Sequence, residues 1–302
     1  MSSAQKAAKT LRNLEPEDWV VLEALEKAMS RFESVPLRPL VRETGYYPEQ
    51  VKFRLSRLNY LGFVLNTPYG YVMNASGLDL LALHALVEEG LISGMGPAVG
   101  MGKESDVFEV ASESGEELVI KFYRIGRTSF RSTRKTRTYV NPSNQHQWLS
   151  INIGAAQKEA EGLTRAEGAG VNVPRFVARN RHAVLMSKID GVMLFRSKKN
   201  EVENPTRLLA ETLENIRKAF VRGKMVNGDI SEYNILYDGE LPWIIDWPQY
   251  VSVTHPNAHE LLRHDVSEPA RFFRKKFGAE LDLDRAILYV EGKAKKLTRI
   301  QI

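Results

Sequence analysis

Apolar residues recur at spacings of three and four over Pro16 to Phe32, where Trp19, Leu22, Leu25 and Met29 share one helical face. Pro16 suits a first helical position, and Glu17 and Asp18 suit the electropositive first turn. A short second helix is predicted over Leu37 to Glu43, ending near Gly45. Pro48 opens a third, with Val51, Leu55, Leu58 and Leu61 as its apolar stripe and Gln50, Arg54 and Arg57 on the opposite face. After Gly62 the pattern shortens: Phe63-Val64-Leu65 and Tyr71-Val72-Met73 flank Asn66 to Gly70, which predicts a hairpin. A helix over Leu78 to Glu89 then leads into a glycine cluster.

Three helices followed by a hairpin is the order of a winged helix, which can place its third helix against nucleic acid or serve as a small packing or protein-binding module. Arg54 and Arg57 are the expected contacts, and the first domain is read as residues 1–90. Beyond it, strands are predicted over Val107 to Val110, Leu118 to Tyr123, Ala183 to Lys188, Ile235 to Tyr237 and Trp243 to Ile245. Helices are predicted over Ala155 to Glu167 and Thr206 to Arg222, and Asn257 to Ile302 reads as mainly helical. Phe130 to Gln147 is polar and basic and reads as a loop. No internal repeat is visible.

Composition narrows the class. At 302 residues, 43% hydrophobic and 26% charged, the chain is long enough for two domains with their own cores. The absence of cysteine excludes disulfides and thiolate zinc sites and fits an intracellular, cytoplasmic location. No run of about 18 apolar residues is present, so a spanning helix and membrane partners are not expected. The N-terminal stretch has no apolar core for a signal peptide. The net charge of +5 matters less than its distribution: Leu118 to Lys158 holds no acidic residue, while Lys121, Arg124, Arg127, Arg131, Arg134, Lys135, Arg137 and Lys158 fall within it. A field of one sign attracts phosphates, of a nucleotide or of nucleic acid.

The candidate chemistry is phosphate chemistry. Gly94-Met95-Gly96 and Gly100-Met101-Gly102-Lys103-Glu104-Ser105 precede a strand rather than a helix, as in kinase glycine-rich loops and unlike a Walker loop. Glycines let backbone N–H groups approach phosphates closely. Ser105 stands where the third glycine of the kinase pattern would be. Lys121 follows three apolar strand residues and suits the phosphate-binding lysine, with Glu159 as its helix partner and Glu161 as the fallback. Asp229 and Asn234 in Asn227-Gly228-Asp229-Ile230-Ser231-Glu232-Tyr233-Asn234 have the catalytic-loop spacing. Asp229 is the expected base, and Asn234 and Asp246 the expected magnesium ligands, because magnesium takes few protein oxygens and completes its shell with water and substrate phosphate. No A-P-E motif follows, and Trp247-Pro248 stands in place of Phe-Gly, so the peptide-docking segment of an ordinary signalling kinase is not expected.

These residues resemble the RIO kinases. Gly102 to Val107 resembles their glycine-rich loop, Arg181 to Met186 the run into their hinge, and Ile245-Asp246-Trp247-Pro248-Gln249 with Ser252 to Ala258 their metal-binding segment. With the winged helix, the resemblance is to the second, winged-helix subfamily in its compact archaeal form, and it covers nearly the whole chain. It implies an α+β fold: a winged helix, then a trimmed bilobal kinase domain with an N-lobe of about 91–189 and a C-lobe of about 190–302. It implies an atypical serine/threonine kinase or ATPase that uses ATP with Mg2+ or Mn2+ and assists maturation of the small ribosomal subunit. The partner would be that subunit's precursor and its rRNA, met through the winged helix and the basic loop. Implied catalytic residues are Lys121, Asp229 and Asp246, the last also as a phosphate acceptor. Implied nucleotide contacts are Gly102, Lys103, Glu104, Ser105, Lys121, Glu159, Met186 and Ile189. Ser129, Ser132 and Thr133 are the implied autophosphorylation sites.

The sequence departs from the family pattern at Asn227, where His is usual, at Trp247, where Phe is usual, and at Ala160, where an aromatic is usual. Asn227 is expected to weaken the hydrogen bonding of the catalytic loop. Two other readings compete. Small-molecule phosphotransferases of the aminoglycoside and choline kinase kind share the Asp–Asn spacing and Ile-Asp-Trp. A nucleic-acid-binding protein with a degenerate kinase domain is the third. Oligomeric state and protein substrate are not encoded in any recognisable motif.

Overall fold

The computed structural model describes residues 1–126, 143–297 and 300. They form two compact units: Met1–Ala156 with Ala178–Leu185, and Gln157–Val177 with Met186–Ile302.

The first unit opens with helix α1 (Ser3–Thr10), which the sequence reading missed because its pattern is short and alanine-rich. Ser2 caps it, its hydroxyl accepting the Gln5 N–H at 3.1 Å. Helices α2 (Pro16–Ala28), α3 (Leu37–Thr44) and α4 (Pro48–Tyr60) follow near their expected bounds. Gly45 ends α3 with φ of 70°, a left-handed position that favours glycine. Strands β1 (Val64–Thr67) and β2 (Gly70–Met73) form the expected antiparallel hairpin, with a bridge from Val35 to Tyr71. Leu22, Leu25, Leu40, Val51, Leu55, Leu58, Phe63 and Met73 are fully buried in this helical core. Each such side chain contributes roughly 2 kcal/mol of burial. Helix α5 (Ala75–Glu88) is apolar almost all round, and Leu78 to Leu83 are all buried.

A five-stranded sheet completes this unit, in the order β3-β4-β5-β7-β6. Its strands are β3 (Gly94–Met101), β4 (Ser105–Ala111), β5 (Glu117–Tyr123), β6 (Phe176–Asn180) and β7 (Ala183–Ser187). The glycine cluster read as a loop is thus largely strand β3, antiparallel to β4 with register shifts between Met95 and Gly100. Its glycines and exposed face carry no strand signal in the sequence; pairing with β4 supplies it.

Helix α6 (Ser143–Gly168) begins within the stretch expected to be a loop over Phe130 to Gln147. Ser129, Ser132, Thr133 and the basic residues Arg127 to Arg137 lie outside the described residues. The second unit is built from the C-terminal part of α6 with α7 (Pro205–Val221), α8 (Ala258–Phe277) and α9 (Leu283–Val290). It also holds β8 (Val192–Met193), β9 (Met225–Val226), β10 (Ile235–Tyr237), β11 (Pro242–Ile244) and β12 (Val251–Ser252). They pair as β11-β10-β8 and β12-β9. Among the described residues no helix is long and apolar enough to cross a membrane.

Candidate active site

The segment between β9 and β10 carries Asp229 and Asn234, and the segment after β11 carries Asp246. Asn234 is held from both sides. Its backbone N–H donates to the Ser231 carbonyl at 3.0 Å, and its carbonyl accepts the Ile245 N–H at 2.9 Å. Its side-chain nitrogen donates to the Asp229 carbonyl at 2.8 Å and to Asp229 Oδ2 at 3.0 Å. The amide nitrogen is therefore engaged with Asp229, and the side-chain oxygen takes part in neither bond. Asp246 lies two residues past β11 with φ of 73°, a left-handed backbone that Asp tolerates better than most residues.

Asn227 ties the two segments. Its Oδ1 accepts the Asp229 N–H at 3.0 Å, and its Nδ2 donates to the Asp246 carbonyl at 2.9 Å. From the sequence, Asn227 is expected to weaken the hydrogen bonding of the catalytic loop; here its planar amide offers a donor and an acceptor on one carbon, and both are used within the loop pair. Asp265 of α8, fully buried, clamps the same loop by accepting the Gly228 N–H at 2.8 Å and the Ile230 N–H at 2.9 Å. Nothing local in the sequence marks it; it is one acid within a helix, and only the fold brings it beneath residues 228–230.

The electrostatics follow. Burial raises the Asp229 carboxyl above the ordinary carboxylate range; the Asn234 hydrogen bond opposes this, and the neighbouring Asp246 and Asp265 charges add to it. A carboxylate of raised basicity beside an amide oxygen and a second carboxylate suits both proton acceptance and a hard, oxygen-seeking cation.

Trp247 is fully buried behind Asp246, its indole N–H donating to the Ile244 carbonyl at 3.1 Å. Helix α6 meets it with two residues. Glu159, 1% exposed, accepts the Trp247 N–H at 2.6 Å. Gly162 lies so close that a Cβ there would stand 2.7 Å from Trp247 Cβ. Glu159 thus has a backbone partner within its own unit that the reading of it as a lysine partner did not anticipate.

The remaining nucleotide candidates are placed as follows. Lys121 lies in the first unit on β5, opposite Val107 of β4, largely buried, with Nζ 4.9 Å from the Tyr123 ring centre. Gly102, Lys103 and Glu104 form the turn between β3 and β4, closed by the Gly102 N–H on the Ser105 carbonyl at 2.8 Å. The Glu104 carbonyl accepts the Arg124 N–H. Met186 is buried in β7, and the Ile189 carbonyl accepts the Gly191 N–H at 3.0 Å just beyond it.

The winged helix brings a correction. Arg54 and Arg57 do not present free charge on an exposed face. Arg54, with its side chain 15% exposed, pairs with Glu15 at 2.6 Å, Glu17 at 3.3 Å and Asp18 at 3.4 Å. Arg57 pairs with buried Asp18 and with Glu15, and donates to the Asn13 carbonyl at 2.7 Å. The acids of the α2 start absorb both cations. The exposed face of α4 carries Lys52, Phe53, Ser56 and Tyr60 instead.

Comparison with known proteins agrees with this geometry. Residues 106–286 match the RIO domain, and residues 11–89 match the Rio2 N-terminal domain. The chain is 36% identical over 270 residues to the RIO-type serine/threonine-protein kinase Rio2 of Methanocaldococcus jannaschii, covering 87% of this chain and 99% of that one. It is 31% identical to the serine/threonine-protein kinase RIO2 of Saccharomyces cerevisiae over 93% of this chain and 69% of that one. A crystal structure of the Rio2 kinase–ADP/Mg2+–phosphoaspartate complex from Chaetomium thermophilum superimposes with a TM-score of 0.81 at 29% identity, covering 95% of this chain and 94% of that one. Two family matches in the right order, joined to a clustered Asp229, Asn234 and Asp246, favour a kinase over a sugar or choline phosphotransferase, and the chain belongs to the RIO kinase family, in its winged-helix Rio2 branch.

Proposed function

We propose that this chain binds ATP with Mg2+ and acts as an atypical serine/threonine kinase and ATPase. The observation that carries the reading is the hydrogen-bonded cluster in which Asn234 holds Asp229 and Asn227 ties Asp229 to Asp246. Asn234 Oδ1 and the Asp246 carboxylate are the metal ligands in this reading, and Mn2+ can replace Mg2+. Held there, the cation would neutralise phosphate charge during transfer. The turn of Gly102 to Ser105, whose Gly102 N–H closes on Ser105, offers its remaining backbone N–H groups to the phosphates, Lys121 a fixed positive charge, and Met186 to Ile189 the wall against adenine.

Asp229 orients the acceptor and takes its proton. With a serine or threonine hydroxyl, the oxygen attacks the γ-phosphorus, the bond to the β-phosphate oxygen breaks, ADP leaves, and the proton passes to Asp229. With the Asp246 carboxylate as acceptor, an acyl phosphate forms with no proton to move. Water then attacks its phosphorus and gives a proton to Asp229, the bond from phosphorus to the Asp246 oxygen breaks, and the carboxylate and free phosphate are released. The phosphoaspartate in the Chaetomium thermophilum complex supports this second route.

The physiological setting is read as cytoplasmic maturation of the small ribosomal subunit, with the precursor and its rRNA as partner. Support comes from the winged-helix order and from Lys52, Phe53 and Tyr60 on the exposed face of α4, a cation among aromatics of the kind that meets nucleic acid.

The test is Mg2+-dependent ATP hydrolysis by the full chain, with Asp229→Ala and Asp246→Ala beside it. Both variants are expected to lose turnover by roughly a hundredfold or more. A hydroxylamine-labile phosphate is expected on the wild type and not on Asp246→Ala. Unchanged hydrolysis in both variants overturns the site. Sedimentation with small-subunit precursors, weakened by Lys52→Glu with Phe53→Ala, tests the partner.

A further inference from the structure

Within the first unit four ionisable side chains meet out of reach of water. Asp79 of α5, Asp106 of β4 and His182 are fully buried, and Arg124 is 2% exposed. Arg124 makes a forked pair with Asp79, Nη1 to Oδ1 and Nη2 to Oδ2, both at 2.8 Å. Its Nε donates to Asp106 Oδ2 at 3.0 Å. His182 Nε2 lies 2.8 Å from Asp79 Oδ1 and 3.0 Å from Arg124 Nη1, while its Nδ1 has no hydrogen-bond partner. A proton on Nδ1 would have no acceptor, so the neutral ring is assigned its proton on Nε2, donating to Asp79, with the Nδ1 lone pair in the apolar wall of Phe122 and Trp148. Burial lowers the His182 pKa, in keeping with that state.

The chain positions of these residues matter more than the charges. Arg124 directly follows the last residue of β5, the strand that carries Lys121, and its backbone N–H donates to the Glu104 carbonyl in the turn after β3. Asp106 is the second residue of β4, just past that turn, and pairs with Phe122 across the ladder. The Tyr123 N–H donates to the His182 carbonyl at 3.0 Å, which fixes β5 against the start of β7. Arg124 therefore meets the glycine turn through its backbone N–H, at the end of the strand of the phosphate lysine, and through its guanidinium meets β4 and a helix that belongs, in sequence, to the winged-helix region.

We infer that Asp79 and Arg124 are positioning residues for nucleotide binding: α5 supplies, through Asp79, the anchor that sets the spacing between the glycine turn and Lys121. Forked Arg–carboxylate pairs fix orientation as well as distance, which a packed apolar contact at the same place would not. The helical region is thereby a structural part of the ATP site, whatever else it binds. The inference rests on the ATP reading given above.

The experiment measures MgADP affinity and melting temperature on the full chain. The variants are Asp79→Asn, Asp106→Asn, Arg124→Lys, Lys121→Ala and, as a control of pure packing loss, Leu25→Ala in α2. Asp79→Asn is expected to weaken MgADP binding about fivefold or more, and Asp106→Asn by less. Leu25→Ala is expected to lower the melting temperature with affinity within about twofold of wild type. If Asp79→Asn does not fold, Arg124→Lys decides, because it keeps a positive charge beside Asp79 and Asp106 and gives up the fork that sets the spacing. Should Lys121→Ala weaken binding while every foldable knot variant binds like wild type, this inference falls and the ATP reading stands. A wild-type chain that binds no MgADP overturns both.

Discussion

The side-chain amide of Asn227 donates to the backbone carbonyl of Asp246 at 2.9 Å, across the gap between two separate loops. The same amide accepts from Asp229 at 3.0 Å, so the backbones carrying the proposed base and the proposed metal ligand share one small, 2% exposed side chain. Asn227→Ala removes both bonds and leaves the half-buried Asp229 N–H and Asp246 carbonyl to find other partners. A stability loss of about 1–3 kcal/mol is expected, read from denaturant unfolding. ATP turnover should fall further than that loss explains, since Asp229 and Asp246 are freed from each other. Turnover equal to wild type would remove Asn227 from the site.

Asp265 is the second hidden support. It accepts two backbone N–H groups from the loop that carries Asp229. Asp265→Ala strands both donors in a buried place, and a loss of about 2–5 kcal/mol is expected. Asp265→Asn keeps one acceptor of similar shape and should fall between the two. Amide exchange at Gly228 and Ile230, slow in wild type and fast in Asp265→Ala, would locate the damage.

Much of this site was legible in the sequence and some was not. Asp229, Asn234 and Asp246 are readable because their chemistry fixes their spacing within short loops. The helices of the first unit are readable because Trp19, Leu22 and Leu25 or Val51, Leu55 and Leu58 repeat along one face. Strand β3 was not, because its glycines are held by partner strand β4 rather than by propensity. Asp265, Asp79 and His182 were not, because each is a lone polar residue whose partner is distant in the chain. The charge on α4 was misread for the same reason: Arg54 and Arg57 look like a basic face until Glu15 and Asp18, some 39 residues earlier, fold beneath them.

Asp229 should show the tension between stability and activity. Burial raises its carboxyl above the ordinary range, the Asn234 hydrogen bond opposes the rise, and the Asp246 and Asp265 charges add to it. At neutral pH the ionised form is therefore held at a cost to the fold. Asp229→Asn removes the charge and keeps an oxygen for Asn234. Its melting temperature at pH 7 is expected to be no lower than that of wild type, while ATP turnover falls by roughly a hundredfold to ten-thousandfold. A clear drop in melting temperature would mean that the carboxylate stabilises the loop rather than straining it.

The buried knot around Arg124 gives the fold a definite response to acid. Burial lowers the His182 pKa below 6.5, and although the Asp79 hydrogen bond and charge favour the protonated ring, Arg124 and Arg181 oppose it. The unfolded chain then takes up a proton at His182 that the folded chain refuses, so stability falls as pH drops below about 6.5, by at most about 1.4 kcal/mol per pH unit. Asp79 acts lower on the scale. Burial works to raise its pKa, but the Arg124 charge and the His182 hydrogen bond prevail and hold it at about 2. Its stabilising contribution is complete above the unfolded value of 3.8 and is lost between there and about 2. Unfolding free energies from pH 8 to pH 5 should therefore decline in wild type and decline less in His182→Gln, whose amide still donates to Asp79 but takes no proton. Other histidines titrate equally in both proteins and cancel from the difference. Parallel curves would show that His182 takes up its proton as readily in the folded chain as in the unfolded one, so that burial does not withhold it.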